Sequence, residues 1–347
     1  MITRREVLQT TALAAGAAAI ASKTLTAQEA APGEAWKQIF PQGFKNERVK
    51  TSGAEINVVH GGSGPPLLLF HGAPQSLITW RLIAPDLAKD YSIYLADLRG
   101  YGDSSKPEGE ADHSTYSKRP MALDGVEVMQ HFGHRQFRMV GHDRGGRVGR
   151  RMALDHPDKV LKLAVLDIVP AHYLYSHVTI DFVRAYSHWF TYLLPGAETD
   201  GNQGRGGAGP GGAAKGAPKG APKGAAKGDG KGKAPAAGSA IEALVRAEYA
   251  RHTSNPAMMH AMFEDYRASA SIDLKNDQAD IDAGKKIQCP LLTLWAATGA
   301  MGRLYDVLGI WKAEGVNVSG KGLPGGHSLQ ESAPAETLAE LQAFLRG

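Results

Sequence analysis

The sequence predicts an α/β protein: a mainly parallel sheet flanked by helices and interrupted once by a helical insertion. Three observations carry this. Short apolar runs of strand length alternate with helical patterns, and one strand leads through a Gly-x-Asp-x-Gly turn directly into a helix. The rhythm then fails between Ala171 and about Gly284, where aromatic-rich helical pieces follow one another without strands. With 347 residues, 43% apolar and 21% charged, the chain has an ordinary globular composition and the length of one large or two modest domains.

The strands read at Ile56 to Val59, Pro66 to His71, Ser92 to Asp97, Phe137 to Gly141, Lys162 to Ile168 and Pro290 to Trp295. Runs such as PLLLF and KLAVLDI do not alternate apolar with polar residues, as expected of parallel strands covered on both faces. Helical patterns lie between them, as around Met121 to Phe132, and a last helix is expected from Pro334 to Leu345. The core is therefore assigned to residues 35–170 and 285–347. The inserted cap is assigned to 171–284, with helical pieces at Val183 to Leu193 and Ile241 to His252.

Two segments stand outside this scheme. At the N-terminus Arg4-Arg5 precede an Ala-rich, weakly apolar run and small residues to Ala27, so residues 1–27 read as a twin-arginine export signal and the mature chain as periplasmic or exported. The run falls far short of the roughly 20 strongly apolar residues of a membrane span. Residues 201–238 hold 14 Gly, six Lys, one Arg and one Asp, and no large apolar side chain, so this stretch is expected to be a disordered insertion within the cap. Its net charge of +6 exceeds the +4 of the whole chain, which leaves −2 for the remainder. The basic balance therefore implies no nucleic-acid groove. A single cysteine, Cys289, excludes an intrachain disulfide framework and a multi-cysteine zinc site.

The chemistry is concentrated at Gly141-His142-Asp143-Arg144-Gly145-Gly146-Arg147, between the strand FRMVGH and the helical pattern VGRRMALDHP. Glycines two positions either side of Asp143 give the form of a nucleophile elbow, with aspartate in place of serine. Asp167 follows the strand LAVL, and His327 lies in a loop before the final helix, so nucleophile, acid and histidine come in α/β-hydrolase order. Alone, Asp167 would read as a helix cap and His327 as a solvated loop residue. An aspartate nucleophile suits attack on an alkyl carbon, because its ester retains a carbonyl that water can attack, whereas serine would leave an ether. Arg144 and Arg147, three apart at a helix start, can face the site together and hold a substrate carboxylate; local ion pairing is the competing reading.

The chain resembles the fluoroacetate (haloacetate) dehalogenases of the α/β-hydrolase fold from about Gly43 to the end, outside the Gly/Lys-rich insertion. The matching stretches are His71 to Gln75, Ala96 to Gly102, His142 to Arg147, Ala164 to Ile168, His188-Trp189, Glu264 to Ala268 and Gly326-His327. The resemblance implies that Asp143 displaces halide and becomes an ester, which water activated by His327 and Asp167 hydrolyses. It also implies a halide pocket of His188, Trp189 and Tyr266. The oxyanion hole is expected from the backbone N–H groups of Ala73 and Arg144. Ala73 stands where many relatives carry an aromatic residue, which implies a roomier pocket. Epoxide hydrolysis is the alternative, with Tyr186, Tyr192 and Tyr266 as candidate acids, and a non-catalytic binding protein of the same fold is a third reading. The expected partner is a small-molecule substrate. Neither cofactor, metal nor nucleic acid is implied, no stable membrane span is expected in the mature chain, and a homodimer is left open.

Overall fold

A computed structural model describes residues 33–198 and 239–347; the expected export signal and the 201–238 insertion lie outside the described residues. Eight strands form one sheet in the order β1-β2-β4-β3-β5-β6-β7-β8. They are β1 (Lys45–Lys50), β2 (Glu55–Gly61), β3 (Pro66–Phe70), β4 (Ser92–Ala96), β5 (Phe137–His142), β6 (Val160–Leu166), β7 (Leu291–Ala296) and β8 (Val318–Leu323). Pairings β1/β2 and β2/β4 are antiparallel, and all those from β4 through β3 to β8 are parallel.

Period-2 geometry turns the apolar runs into two cores. Leu68 and Phe70 of β3 join Met139, Val148, Val165 and Trp311 on one face, while Leu67 and Leu69 join Ile93, Leu95, Val140, Ala164, Leu166 and Leu294 on the other. The six expected strands are β2 to β7, with ends moved by a few residues. β1 was not recognised because KNERVK buries only Val49 at the sheet edge, and β8, VSGKGL, carries two glycines and a lysine. Gly320 is required there: a Cβ would lie 2.2 Å from the Thr293 carbonyl oxygen.

Among the described residues no strand occurs between β6 and β7. That stretch holds helices Ala171–Ser176, Ile180–Ala185, His188–Thr191, Ala240–Thr253, Pro256–Ser269 and Ile272–Asp282. The single helical piece expected over Val183 to Leu193 is instead two short helices, broken at Tyr186, whose φ is −131° and ψ 41°. Packing overrides the local pattern here. Fully buried Phe182 gathers Tyr186, Trp189, Phe190 and Tyr305 around it at centroid distances of 5.5 to 6.3 Å, and a continuous helix would not deliver them to one cluster. The helix expected around Met121 runs Lys118–His131, and the final helix runs Pro334–Arg346.

Candidate active site

Parallel strands β5 and β6 end side by side, with His142 paired to Leu166 in register, so Asp143 and Asp167 leave the sheet at the same edge. Both adopt positive φ, 46° and 53°, which costs a non-glycine residue energy, and Asp143 with ψ of −113° lies outside the left-handed helical region that aspartate tolerates. The strain of the elbow thus sits on Asp143 itself, and the flanking glycines provide room rather than left-handed backbone. A Cβ at Gly141 would meet the Gly145 carbonyl oxygen at 2.5 Å, and one at Gly145 would meet the Phe70 carbonyl oxygen at 2.4 Å. Opposite the elbow, a Cβ at Gly72 would lie 2.6 Å from that of Asp143. This close approach lets the Ala73 N–H donate to Asp143 Oδ1 at 3.1 Å. Arg144 opens the helix Arg144–Asp155, whose first N–H groups have no partners within the helix.

His327 comes to the same edge from the loop after β8. Its Nδ1 lies 2.6 Å from Asp167 Oδ2 and its Nε2 3.7 Å from Asp143 Oδ2. Asp167 is fixed in turn by the Ala296 N–H, which donates to its Oδ1 at 2.8 Å. Burial works against charge on His327, but Asp143 and Asp167 outweigh it and push its pKa up to about 10. Burial likewise opposes the Asp143 anion, yet His327, Arg147 and Arg144 hold its carboxyl well below the usual range. Both shifts run in the same direction and favour carboxylate beside imidazolium. The His327 side chain remains 41% exposed while that of Asp143 is 11% exposed, so water reaches the histidine more freely than the carboxylate.

The two arginines lie on one helix face, as their spacing requires. Arg147 Nη1 is 3.3 Å from Asp143 Oδ2, and its Nη2 donates to the Val169 carbonyl at 3.4 Å. Arg144 pairs with Asp265 rather than with Asp143, at 3.4 Å, and its Nη1 donates to Ser269 Oγ at 2.7 Å. Both guanidinium groups face the Trp189 ring, at 5.0 and 4.8 Å, and Arg144 also lies 3.5 Å from the centre of the Tyr266 ring. Ion pairing and a site-facing position therefore coexist. Arg144 Nε and Nη2 and Arg147 Nε are buried with no hydrogen-bond partner among the described residues.

His188, Trp189 and Tyr266 converge beside these arginines, Tyr266 standing edge-on to both others at 5.6 and 5.7 Å. Burial first, then Arg144, pulls the His188 pKa down to about 4, which leaves a neutral imidazole with one N–H to donate. Burial raises the Tyr266 and Tyr186 hydroxyls, so both stay protonated donors. Tyr186 senses the charges of Asp167 and Asp143, whereas Tyr192 packs on Phe263 at 4.3 Å and edge-on to Tyr266.

Metal-like clusters occur elsewhere, but arginines cross them. Asp103, Glu248 and His252 converge, and Arg251 Nη2 sits 2.9 Å from Asp103 and 2.6 Å from Glu248. Glu198, His260 and Glu264 converge, and Arg267 Nη1 bridges the two carboxylates at 2.5 and 2.8 Å. In both, arginine bridges the carboxylates as an ion-pair network, while His252 Nδ1 is buried without a hydrogen-bond partner among the described residues.

A family model described as the alpha/beta hydrolase fold matches residues 65–211. The chain is 41% identical to a fluoroacetate dehalogenase of Burkholderia sp. over 304 residues, 88% of this chain and 94% of that protein. The chain belongs to the fluoroacetate dehalogenase-like α/β hydrolases. A soluble epoxide hydrolase of a Corynebacterium strain is 41% identical over 119 residues, 34% of this chain and 40% of its own. A solved structure from Nostoc sp. PCC 7120, described as that of an α/β hydrolase, is 42% identical with TM-score 0.72, covering 87% of this chain and 98% of that one.

This α/β hydrolase also uses residues that motif spacing did not single out. The side chain of His142, its pKa lowered to about 3 mainly by burial, donates from Nε2 to the His327 carbonyl at 2.9 Å and so holds the histidine loop. His71 accepts the Leu98 N–H at Nε2, 3.1 Å, which leaves Nδ1 to donate to the Gly72 carbonyl at 2.8 Å and fix the loop carrying Ala73. Both histidines adjoin site residues in sequence, His71 before Gly72 and Ala73 and His142 before Asp143, and act through backbone carbonyl groups. Asp265 lies in the matching stretch Glu264 to Ala268 and Ser269 next to it, but neither reveals its role in sequence because their partner Arg144 is more than 120 residues away.

Proposed function

We propose that this hydrolase dehalogenates a short 2-haloacid such as haloacetate through an aspartyl ester. The observation that carries this is the charge arrangement. A buried nucleophilic carboxylate shares its site with two buried guanidinium groups, one of which keeps two N–H groups unpaired. An anionic substrate approaching Asp143 meets repulsion that such groups offset, whereas a neutral substrate would not require them.

In the first half-reaction an Asp143 oxygen attacks the carbon bearing the halogen. The carbon–halogen bond breaks, its electron pair leaves with the halide, and the carboxylate becomes an ester. Arg144 and Arg147 hold the substrate carboxylate, and His188, Trp189 and Tyr266 donate to the departing halide. Esterification removes the Asp143 charge that favours the imidazolium, so His327, 41% exposed, releases its proton to solvent and becomes a base held by Asp167. It then takes a proton from water attacking the ester carbonyl, whose oxygen gathers charge where the Ala73 N–H points, with the backbone N–H of Arg144 as second donor. The acyl–oxygen bond breaks, the 2-hydroxy acid leaves with the proton from His327, and Asp143 is restored as a carboxylate. Residues 171–284 serve as the cap over this site, and residues 1–27 direct the chain to the periplasm, which cell fractionation with and without Arg4 and Arg5 checks.

Epoxide hydrolysis is the second reading. Tyr186, a protonated hydroxyl beside Asp143 and Asp167, favours it, as does the name of the Corynebacterium relative. Halide release across fluoroacetate, chloroacetate and larger 2-haloacids, run beside an epoxide panel, tests both. Turnover of haloacids alone supports dehalogenation, and turnover of epoxides alone overturns it.

A further inference from the structure

Arg144 is fully buried, and its planar guanidinium is held at one corner. Nη1 donates to Ser269 Oγ at 2.7 Å and faces Asp265 Oδ1 at 3.4 Å, while the Tyr266 ring covers one face of the plane. What is left is the Nε–Nη2 edge, with no hydrogen-bond partner among the described residues. Two parallel N–H bonds along that edge match the two oxygens of a carboxylate, provided the guanidinium does not rotate.

Asp265 is built to prevent rotation. It is fully buried, accepts the Tyr101 hydroxyl at 2.7 Å on Oδ2, and carries the Lys118 ammonium on Oδ1 beside Arg144. Tyr101 belongs to the loop after β4, Lys118 opens the helix Lys118–His131, and Asp265 with Ser269 lies on the helix Pro256–Ser269. Three elements thus fix one carboxylate. Lys118, which also lies 3.6 Å from Asp273 Oδ2, shares Oδ1 with Arg144, so Asp265 divides its charge between the two cations.

We propose that Asp265 is a positioning residue of the carboxylate clamp: by anchoring Arg144 Nη1, it keeps the Nε–Nη2 edge turned toward the substrate carboxylate. The inference rests on the reading of Arg144 as a carboxylate ligand. A merely structural Asp265, pinning the inserted helices to the core, would affect stability and all substrates alike.

The test is kcat and KM of the full chain for chloroacetate and its neutral analogue chloroacetamide, measured on wild type, Asp265→Asn and Ser269→Ala, each with its melting temperature. In Asp265→Asn, KM for chloroacetate rises more than kcat falls, and the preference for chloroacetate over chloroacetamide drops by about tenfold or more. Ser269→Ala removes a bond to the same Nη1 without removing a buried charge, so it decides the matter if Asp265→Asn fails to fold. Its preference falls in the same direction by about three- to tenfold. An unchanged preference in the folded variants, or equal losses on both substrates, overturns the role of Asp265 while leaving the clamp reading in place. A wild type that favours chloroacetamide overturns the clamp reading instead, and this inference with it.

Discussion

Asp167→Asn separates the two half-reactions, and the structure sets the direction of its effect. Position 167 has φ of 53°, which asparagine tolerates, so the substitution keeps the backbone. The Ala296 N–H donates to Oδ1 at 2.8 Å and accepts nothing, so the asparagine oxygen must stay there. Its amide nitrogen then faces His327 Nδ1, now 2.6 Å from a carboxylate oxygen. Two N–H groups cannot point at each other, so His327 Nδ1 becomes an acceptor and the proton moves to Nε2, the nitrogen that must take a proton from water. The corresponding change in a Ser-His-Asp triad lowers turnover about 10⁴-fold, a barrier increase of about 5 kcal/mol. The expected result is a loss of that order in steady-state turnover, with one equivalent of halide still released and the peptide containing Asp143 heavier by the substrate's carboxymethyl group. Rapid-quench halide assay and peptide mass spectrometry check it. Normal turnover, or loss of the halide burst together with turnover in a folded variant, refutes the reasoning.

Other outcomes follow from the same geometry. In His327→Ala halide release stops after one equivalent and the ester accumulates, which the same mass measurement detects. Arg144→Ala loses two charge-assisted hydrogen bonds, together about 3 to 5 kcal/mol, so kcat/KM for haloacetate falls by about 10² to 10⁴ while the neutral amide is affected far less; equal losses count against the clamp. Asp143→Asn removes one of the two carboxylates that flank His327, so its pKa falls from about 10, followed by NMR titration of the imidazole. The sign for stability is set by the same shift. The contribution of the imidazolium pair is fully present below the ordinary value of 6.5 and is lost as pH rises through about 10, and chemical denaturation across that range shows a smaller alkaline loss in Asp143→Asn. Replacing residues 201–238 with a short Gly/Ser linker leaves turnover within about threefold, since that composition supplies no core-forming side chain.

What the sequence made legible follows from where the physics is local. The Gly-x-Asp-x-Gly turn was readable because a side chain at Gly141 or Gly145 would strike backbone within 2.6 Å, a constraint written into residue type. PLLLF was readable because both faces of β3 are covered. KNERVK was not, because an edge strand buries one side chain and satisfies the rest with water. The break at Tyr186 depends on aromatic partners as distant as Tyr305, and the Asp265 anchor on helices joined only in three dimensions. His142 and His71 lay in plain view, but their work is done through backbone carbonyl groups, which spacing does not reveal.

Every later step of the proposed chemistry depends on Asp143 forming a covalent ester. Single-turnover hydrolysis of haloacetate in oxygen-18 water, with enzyme in excess, measures this directly. Water attacks the ester carbonyl, so the label enters the Asp143 carboxylate, and the peptide containing Asp143 gains oxygen-18 while the first product molecule carries none. Label in the first product molecule, with an unlabelled Asp143 peptide, would mean that water attacks the substrate itself and would contradict the account.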